Sequence, residues 1–400
     1  MQEPDRSFRS FEDVCVMAKY RFEQIAINSK EKAKSNSIDL STYIGLEHLD
    51  SGSLRISRWG SNVPIKGDKL IMHKGDVLFG KRNAYLRRAA IAPHDGAFSA
   101  HGMVFRPHED IVDRDFFPLF ISSDYFFDAA IRISVGSLSP TVNWRDLKEL
   151  EFELPDMETQ RKLAALLWSI NDTMEAYKKL ISVTDELVKS QFIEVFGDPA
   201  TNSKGWPLVT LRNCLLRIDS GKSLNCENFS REGSKPAILK LSAVTYGIYN
   251  PGENKALPDE TMFVPELEVH TGDLLFSRKN TYEYVGKTAY VTETPPNLML
   301  PDLIFRLVPR DSCRPRYLNL LINHDTYRPV ISSLAGGTTG SMPNISKQRL
   351  LDLAIPLPPV SVQRGFEPLI EQSDKSKFEL EQALAELTAT YKRIITENLG

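Results

Sequence analysis

Residues 74–85 read Lys74-Gly75-Asp76-Val77-Leu78-Phe79-Gly80-Lys81-Arg82-Asn83-Ala84-Tyr85, and residues 271–282 read Thr271-Gly272-Asp273-Leu274-Leu275-Phe276-Ser277-Arg278-Lys279-Asn280-Thr281-Tyr282. A glycine-aspartate turn, an apolar run and a basic, Asn/Tyr-bearing turn thus occur twice in the same order. Further along, Pro140, Leu147, Leu150, Leu154, Pro155 and Gln160 align with Pro343, Leu350, Leu353, Leu357, Pro358 and Gln363. The offset between copies grows from 197 (271 minus 74) to 203 (343 minus 140), as a few loop insertions would produce. A half-length repeat exceeds the roughly 20–50 residues of a solenoid unit. It predicts two similar globular domains related by an approximate two-fold axis.

Apolar or β-rich runs at 76–80, 87–92, 103–106 and 150–154 are punctuated by Gly, Pro and Asp, and a helical stretch covers 116–133. The second copy repeats the plan, with strands at 273–276, 287–291 and 303–308 and a helical stretch at 316–333. Strands mixed with a few helices predict an α+β domain. Past Asp156, a plausible N-cap, the period changes. Leu167, Met174, Ile181, Val188 and Val195 form one heptad column, while Leu163, Ile170 and Tyr177 begin a second that continues weakly through Thr184 and Gln191. Two such columns make the narrow seam of a coiled coil. The pattern stops at Gly197-Asp198-Pro199, and a similar terminal helix carries Ile370, Leu380, Leu384, Leu387, Tyr391 and Ile394. The expected domains are 1–155 and 207–358, with spacer helices at 156–197 and 359–400 and a linker at 198–206. Since neither helix can bury its stripe alone, the two are expected to pair antiparallel, with a lobe at each end of the spacer.

Composition narrows the function. Of 400 residues, 42% are hydrophobic, enough for two cores, and no apolar run approaches the ~18 residues of a membrane span. The N-terminal Met1-Gln2-Glu3-Pro4-Asp5-Arg6 lacks the basic-then-apolar pattern of a signal peptide. Cys15, Cys214, Cys226 and Cys313 are scattered, so neither a zinc set nor a disulfide framework is expected, and a cytoplasmic location follows as the default. A formal charge of −3 excludes a bulk polycation, so any nucleic-acid binding must rest on local basic patches.

Those patches follow the repeated strand. Lys81, Arg82, Asn83, Tyr85, Arg87 and Arg88 in the first copy, and Arg278, Lys279, Asn280, Tyr282 and Lys287 in the second, suit phosphate, base-edge and stacking contacts. A second pair of loops, 136–144 with Asn143 and 336–344 with Thr338 and Thr339, offers small residues and hydroxyls that let backbone amides approach a phosphate. A solvated loop and a tight turn are the competing readings. Enzymatic motifs are poor: Gly286-Lys287-Thr288 lacks the first glycine of a Walker A loop, there is no Asn/Asp-Pro-Pro-Phe/Tyr methyltransferase motif, and the histidines form no metal-ligand pair. The chain is expected to be non-catalytic, with no catalytic and no metal-ligating residues.

The twofold succession of Gly-Asp-Val/Leu-Leu-Phe, basic loop, Gly-rich turn, Leu-Pro, Gln and long helix, together with the Phe196-Gly197-Asp198-Pro199 junction, resembles the specificity (S) subunit of type I restriction-modification systems. The resemblance covers nearly the whole chain. It implies two target recognition domains, each reading one half of a bipartite DNA sequence, separated by two antiparallel helices that fix the gap. It also implies two modification subunits that methylate adenine with S-adenosylmethionine, and restriction subunits that use ATP and Mg; the chain itself holds no cofactor. Two departures stand out: the stretch before about Tyr43 matches the second copy poorly, and Pro359-Val360-Ser361-Val362-Gln363 lacks an acidic residue before its Gln. A two-lobed scaffold for proteins or sugars, and a stand-alone DNA-modifying enzyme, are the alternatives.

Overall fold

The computed structural model describes residues 17–336 and 342–399. The chain divides into two compact units, one running to Lys178 and resuming at Glu381, the other spanning Lys179–Leu380. Each is built on a four-stranded antiparallel sheet of one topology. In the first unit the strand order is Ala26–Asn28, Met103–Pro107, Val77–Phe79, Ala89–Ile91; in the second it is Leu215–Ser220, Ile304–Pro309, Leu274–Ser277, Thr288–Tyr290. The repeated apolar run is an inner strand in both.

That position explains its composition. A strand covered on both faces reads as a continuous apolar run instead of alternating. Val77 and Phe79 enter a Phe-rich core containing Phe22, Phe105, Phe120 and Phe126, whereas Leu78 enters a second core with Ile44, Met72 and Phe98. Leu274 and Phe276 likewise face one core and Leu275 the other.

The preceding Gly-Asp pair has its own reason. Gly75 and Gly272 sit at φ +93° and +94°, where a side chain is strained. Asp76 accepts a hydrogen bond from the His73 amide (2.8 Å) and pairs with Arg106 Nε (2.9 Å) on the neighbouring strand. Asp273 accepts from the His270 amide (2.9 Å) and from Arg306 Nη1 (3.2 Å), and Asp219 takes Arg306 Nε (2.9 Å). One aspartate therefore closes the turn and fixes its strand to the next.

A short antiparallel pair delivers each domain to its long helix: Met17–Arg21 with Glu151–Pro155, and Leu208–Thr210 with Ala354–Pro356. The helices Met157–Phe196 and Val360–Leu399 follow at once. Asp156 caps the first, accepting from the Glu158 and Thr159 amides (both 3.0 Å), bonds that hold its carboxyl below the usual range. Gln160 is buried and links helix to domain: Oε1 accepts from the Asp113 amide (2.8 Å) while Nε2 donates to the carbonyls of Ile111 (3.1 Å) and Pro155 (2.8 Å). Gln363 repeats the arrangement on the Arg314 amide (2.7 Å) and the carbonyls of Ser312 (3.1 Å) and Pro358 (2.7 Å).

Every member of the two heptad columns is buried or half-buried. The long helices pack together within each unit. In the first unit Leu163, Ala164 and Leu167 share the Phe-rich core with Ile395 and Leu399; in the second, Val188, Phe192 and Phe196 share a core with Phe366 and Ile370. The class is α+β, duplicated, as expected.

The globular helices differ from expectation. The stretch 116–133 is two helices, Phe116–Ser122 and Asp124–Arg132, because extended Ser123 turns the chain and its Oγ caps the Phe126 amide (3.2 Å). The stretch 316–333 is also broken, into Pro315–Asn323 and Arg328–Ser333, where extended His324 ends the first helix and no side chain caps the second.

Candidate nucleic-acid interface

The basic turn and the Gly-containing loop lie far apart in sequence, yet each unit stitches them together through the backbone. In the first unit the Asn83 amide donates to the Pro140 carbonyl (2.7 Å), the Val142 amide donates to the Lys81 carbonyl (2.9 Å), and Val135 and Thr141 exchange two bonds of 3.0 Å. In the second, the Asn280 amide donates to Pro343 (3.2 Å), the Ile345 amide to Arg278 (2.8 Å), and Gly336 pairs with Asn344 (2.9 and 3.0 Å). Lys81, Arg82 and Asn83 thereby correspond to Arg278, Lys279 and Asn280. The composite of turn and loop is the duplicated surface feature with the residue types for phosphate and base contact.

The side chains at these positions divide into three groups. Arg82 and Tyr85 are exposed, and Arg82 Nη2 reaches only Ser139 Oγ (3.3 Å). Tyr282 is exposed and Lys279 half-buried, and neither has an ionic partner among the described residues. Arg88 is half-buried and forms no ion pair among them either. These groups are available to a ligand.

A second group is engaged internally. Arg87, at φ +48°, pairs with both Asp124 and Asp128 and ties the turn to the helix Asp124–Arg132. Arg278 stacks over Phe305 (5.0 Å) and donates to Asn344 Oδ1 (3.2 Å) and the Asp302 carbonyl (3.3 Å). Asn280 is buried, its Nδ2 bonded to Thr245 and Ser277 and its Oδ1 to the Thr281 amide. Those side chains shape the turns; they offer a base edge little. Lys287 is half-buried, and burial together with the neighbouring Arg328 charge pulls its ammonium below the ordinary lysine value.

The third group lines a cleft. Lys81 and Asn143 border a space of about 400 Å³ with Asn28, Lys30, Lys32, Met103 and Trp144. Burial pushes the Lys81 ammonium down, and Lys32 adds to the effect. Lys30 and Lys32 escaped sequence reading, although the alternation Lys30-Glu31-Lys32-Ala33-Lys34 carried the signal of a strand with one basic face, whereas Trp144 closes the loop 136–144 already singled out. Leu138, within the same loop, is almost wholly exposed. Thr338 and Thr339 lie outside the described residues.

No helix among the described residues is long and apolar enough to cross a membrane. Residues 9–184 match the family described as type I restriction modification DNA specificity domain. The chain is 30% identical over 188 residues to the type I restriction enzyme EcoEI specificity subunit of Escherichia coli, a match spanning 45% of this chain and 31% of that protein. It is 27% identical over 215 residues to the MjaIX specificity subunit of Methanocaldococcus jannaschii, with 48% of each covered. The chain thus spans less than half the length of either relative in these matches. Among solved structures, the type I S subunit from M. genitalium superposes with a TM-score of 0.61 at 14% identity over 98% of both chains. A structure concerned with complex assembly and conformational transition of the type I system gives 0.51 at 21% identity, over 96% of this chain and 97% of the other. These two likenesses concern the fold.

Proposed function

We propose that the chain is a specificity subunit of a type I restriction-modification system, as the match of residues 9–184 and the similarity to the EcoEI specificity subunit support, and that each unit reads one half of a bipartite duplex DNA sequence. The observation that carries this reading is the duplicated composite of basic turn and loop, at the same place on the same sheet in both units. Its accessible residues differ between copies, with Arg82 in one where the other has Lys279, so the two halves would differ in sequence.

In this reading the two helices of 40 residues act as the spacer. At ~1.5 Å per residue each is about 60 Å long. Linking the reading heads also raises the effective concentration of the second contact. Modification subunits would supply S-adenosylmethionine-dependent adenine methylation, and restriction subunits ATP- and Mg-dependent cleavage, in the cytoplasm; this chain would catalyse neither. The docking area for the modification subunits is supported by an apolar stripe at helical spacing, Leu180, Val183 and Leu187, left exposed on the helix Met157–Phe196.

Mapping methylated adenines in a host that expresses the chain with its modification subunit tests the proposal. The expected result is one motif of two unlike halves with a fixed gap. A single uninterrupted motif, or methylation indifferent to sequence, would refute it.

A further inference from the structure

An exposed cation is solvated by water, whereas three half-buried ones in the first unit carry a counter-charge within the protein. Arg106 sits on Asp76 and Glu31, Arg87 on Asp124 and Asp128, and Lys148 on Glu23 and Glu149. The cleft beside the basic turn gathers cations without such a partner, half-buried Lys81 together with the exposed Lys30 and Lys32. Lys30, Lys32 and Lys81 all line it, and among the described residues none of the three makes an ion pair. Glu31, between two of them in sequence, is drawn away by Arg106 Nη1 (2.7 Å), as alternation along an extended segment allows. The remaining walls are Asn28, Ser29, Leu70, Gly102, Met103, Val142, Asn143 and Trp144, with no carboxylate.

Like charges converging on a pocket without an acid leave it short of an anion. Lys81 is the group most affected, since its ammonium is half-buried and Lys32 repels it. A space of about 400 Å³ is ample for a phosphate with its sugar, and Asn28 and Asn143 are among its lining residues, a type that can donate to phosphate oxygens. In the second unit the equivalent cation, Arg278, stacks on Phe305, and Lys347 donates to the Ile218 carbonyl (2.8 Å), so the same position is engaged from within.

We infer that the Lys30–Lys32–Lys81 cleft takes one phosphodiester of the DNA backbone next to the half-site read by the first unit. This rests on the DNA-reading function proposed above and adds to it a phosphate clamp that only the first copy possesses in this form. Each phosphate contact contributes about 0.9 to the slope of log affinity against log salt, so over a roughly fourfold rise in salt one contact is worth about threefold in affinity.

The test uses the full chain with its modification subunit and a duplex carrying the mapped target. Lys81→Gln and Lys32→Gln are each expected to lower the salt slope by about 0.9 while leaving the methylated sequence unchanged, and Lys81→Arg is expected to restore it. A single neutral methylphosphonate linkage, scanned along the first half-site, should weaken the parent complex at one position and leave the Lys81→Gln complex unaffected there. Parental slopes in both glutamine variants, with normal melting temperatures, would overturn the clamp. So would competition by inorganic phosphate at matched ionic strength combined with parental slopes, which would make the cleft a site for the free anion. If the parent complex itself shows no salt-dependent binding, the DNA-reading function fails first and the clamp with it, an outcome distinct from loss of the clamp alone.

Discussion

Gln160→Ala tests how each long helix is fastened to its domain. The substitution removes three hydrogen bonds together and strands the Asp113 amide and the Ile111 and Pro155 carbonyls around a side chain that is 1% exposed. A buried group left without a partner costs about 1–3 kcal/mol. Three such groups, relaxing partly toward one another, give a total of about 3 kcal/mol. The local readout is hydrogen exchange at Asp113, whose amide bonds directly to the lost oxygen. At about 1.4 kcal/mol per decade, its exchange should accelerate by roughly a hundredfold, with a smaller change at residues 115–122. The second copy supplies an internal control, since Gln363→Ala should do the same to the Arg314 amide and leave Asp113 as it was. Exchange at Asp113 within about threefold of the parent, with an unchanged thermal midpoint, would refute the claim that the duplicated glutamine couples helix to domain.

Asp273→Ala removes one of two carboxylate partners from Arg306, whose side chain is 8% exposed and which keeps Asp219, and unties the turn at His270, so urea unfolding of the second unit should show a loss of about 1–3 kcal/mol. The equivalent Asp76→Ala should cost less, because Arg106 is more exposed (31%) and water can solvate it. His324, stacked on Phe192 (5.5 Å), is held below its ordinary value by burial, which outweighs the pull of Asp325 and Asp198. Its folded-state pKa lies under the unfolded value of about 6.5, so stability is full above that pH and declines as pH falls below it; His324→Gln should flatten that decline in thermal melts between about pH 7 and pH 5. Arg82→Ala should reduce the salt slope of DNA binding by about 0.9. Arg87→Ala, by releasing Asp124 and Asp128, should weaken binding while keeping the slope, because that guanidinium is already paired within the protein and holds the turn.

The duplicated α+β plan was legible because the residues that specify it are local and chemically demanding. A glycine at positive φ, an aspartate closing the turn and an apolar run buried on both faces must recur wherever the strand recurs. The heptad columns were legible for the same reason, since burial follows spacing along one helix. The break at Ser123 was not, because the apolar period continues across a single capping residue. Within the candidate interface, sequence located the turns but could not separate ligand-facing cations from internal ones. Arg87 looks like Arg82, and Asn280 like an accessible turn residue, until tertiary partners such as Asp124 and Thr245 arrive from elsewhere in the chain. Lys30 and Lys32 belong to a segment some fifty residues from Lys81, and only the folded domain brings them to one cleft.

The most direct measurement of the central claim is the gap between methylated half-sites after one heptad is deleted from each helix, for example residues 175–181 and 375–381, read from a library with randomised spacers. Seven residues correspond to about 10 Å of helix, or about 3 base pairs of duplex. The account predicts a gap shortened by about that amount with both half-sequences unchanged. An unaltered gap in a folded, methylation-competent variant would contradict it.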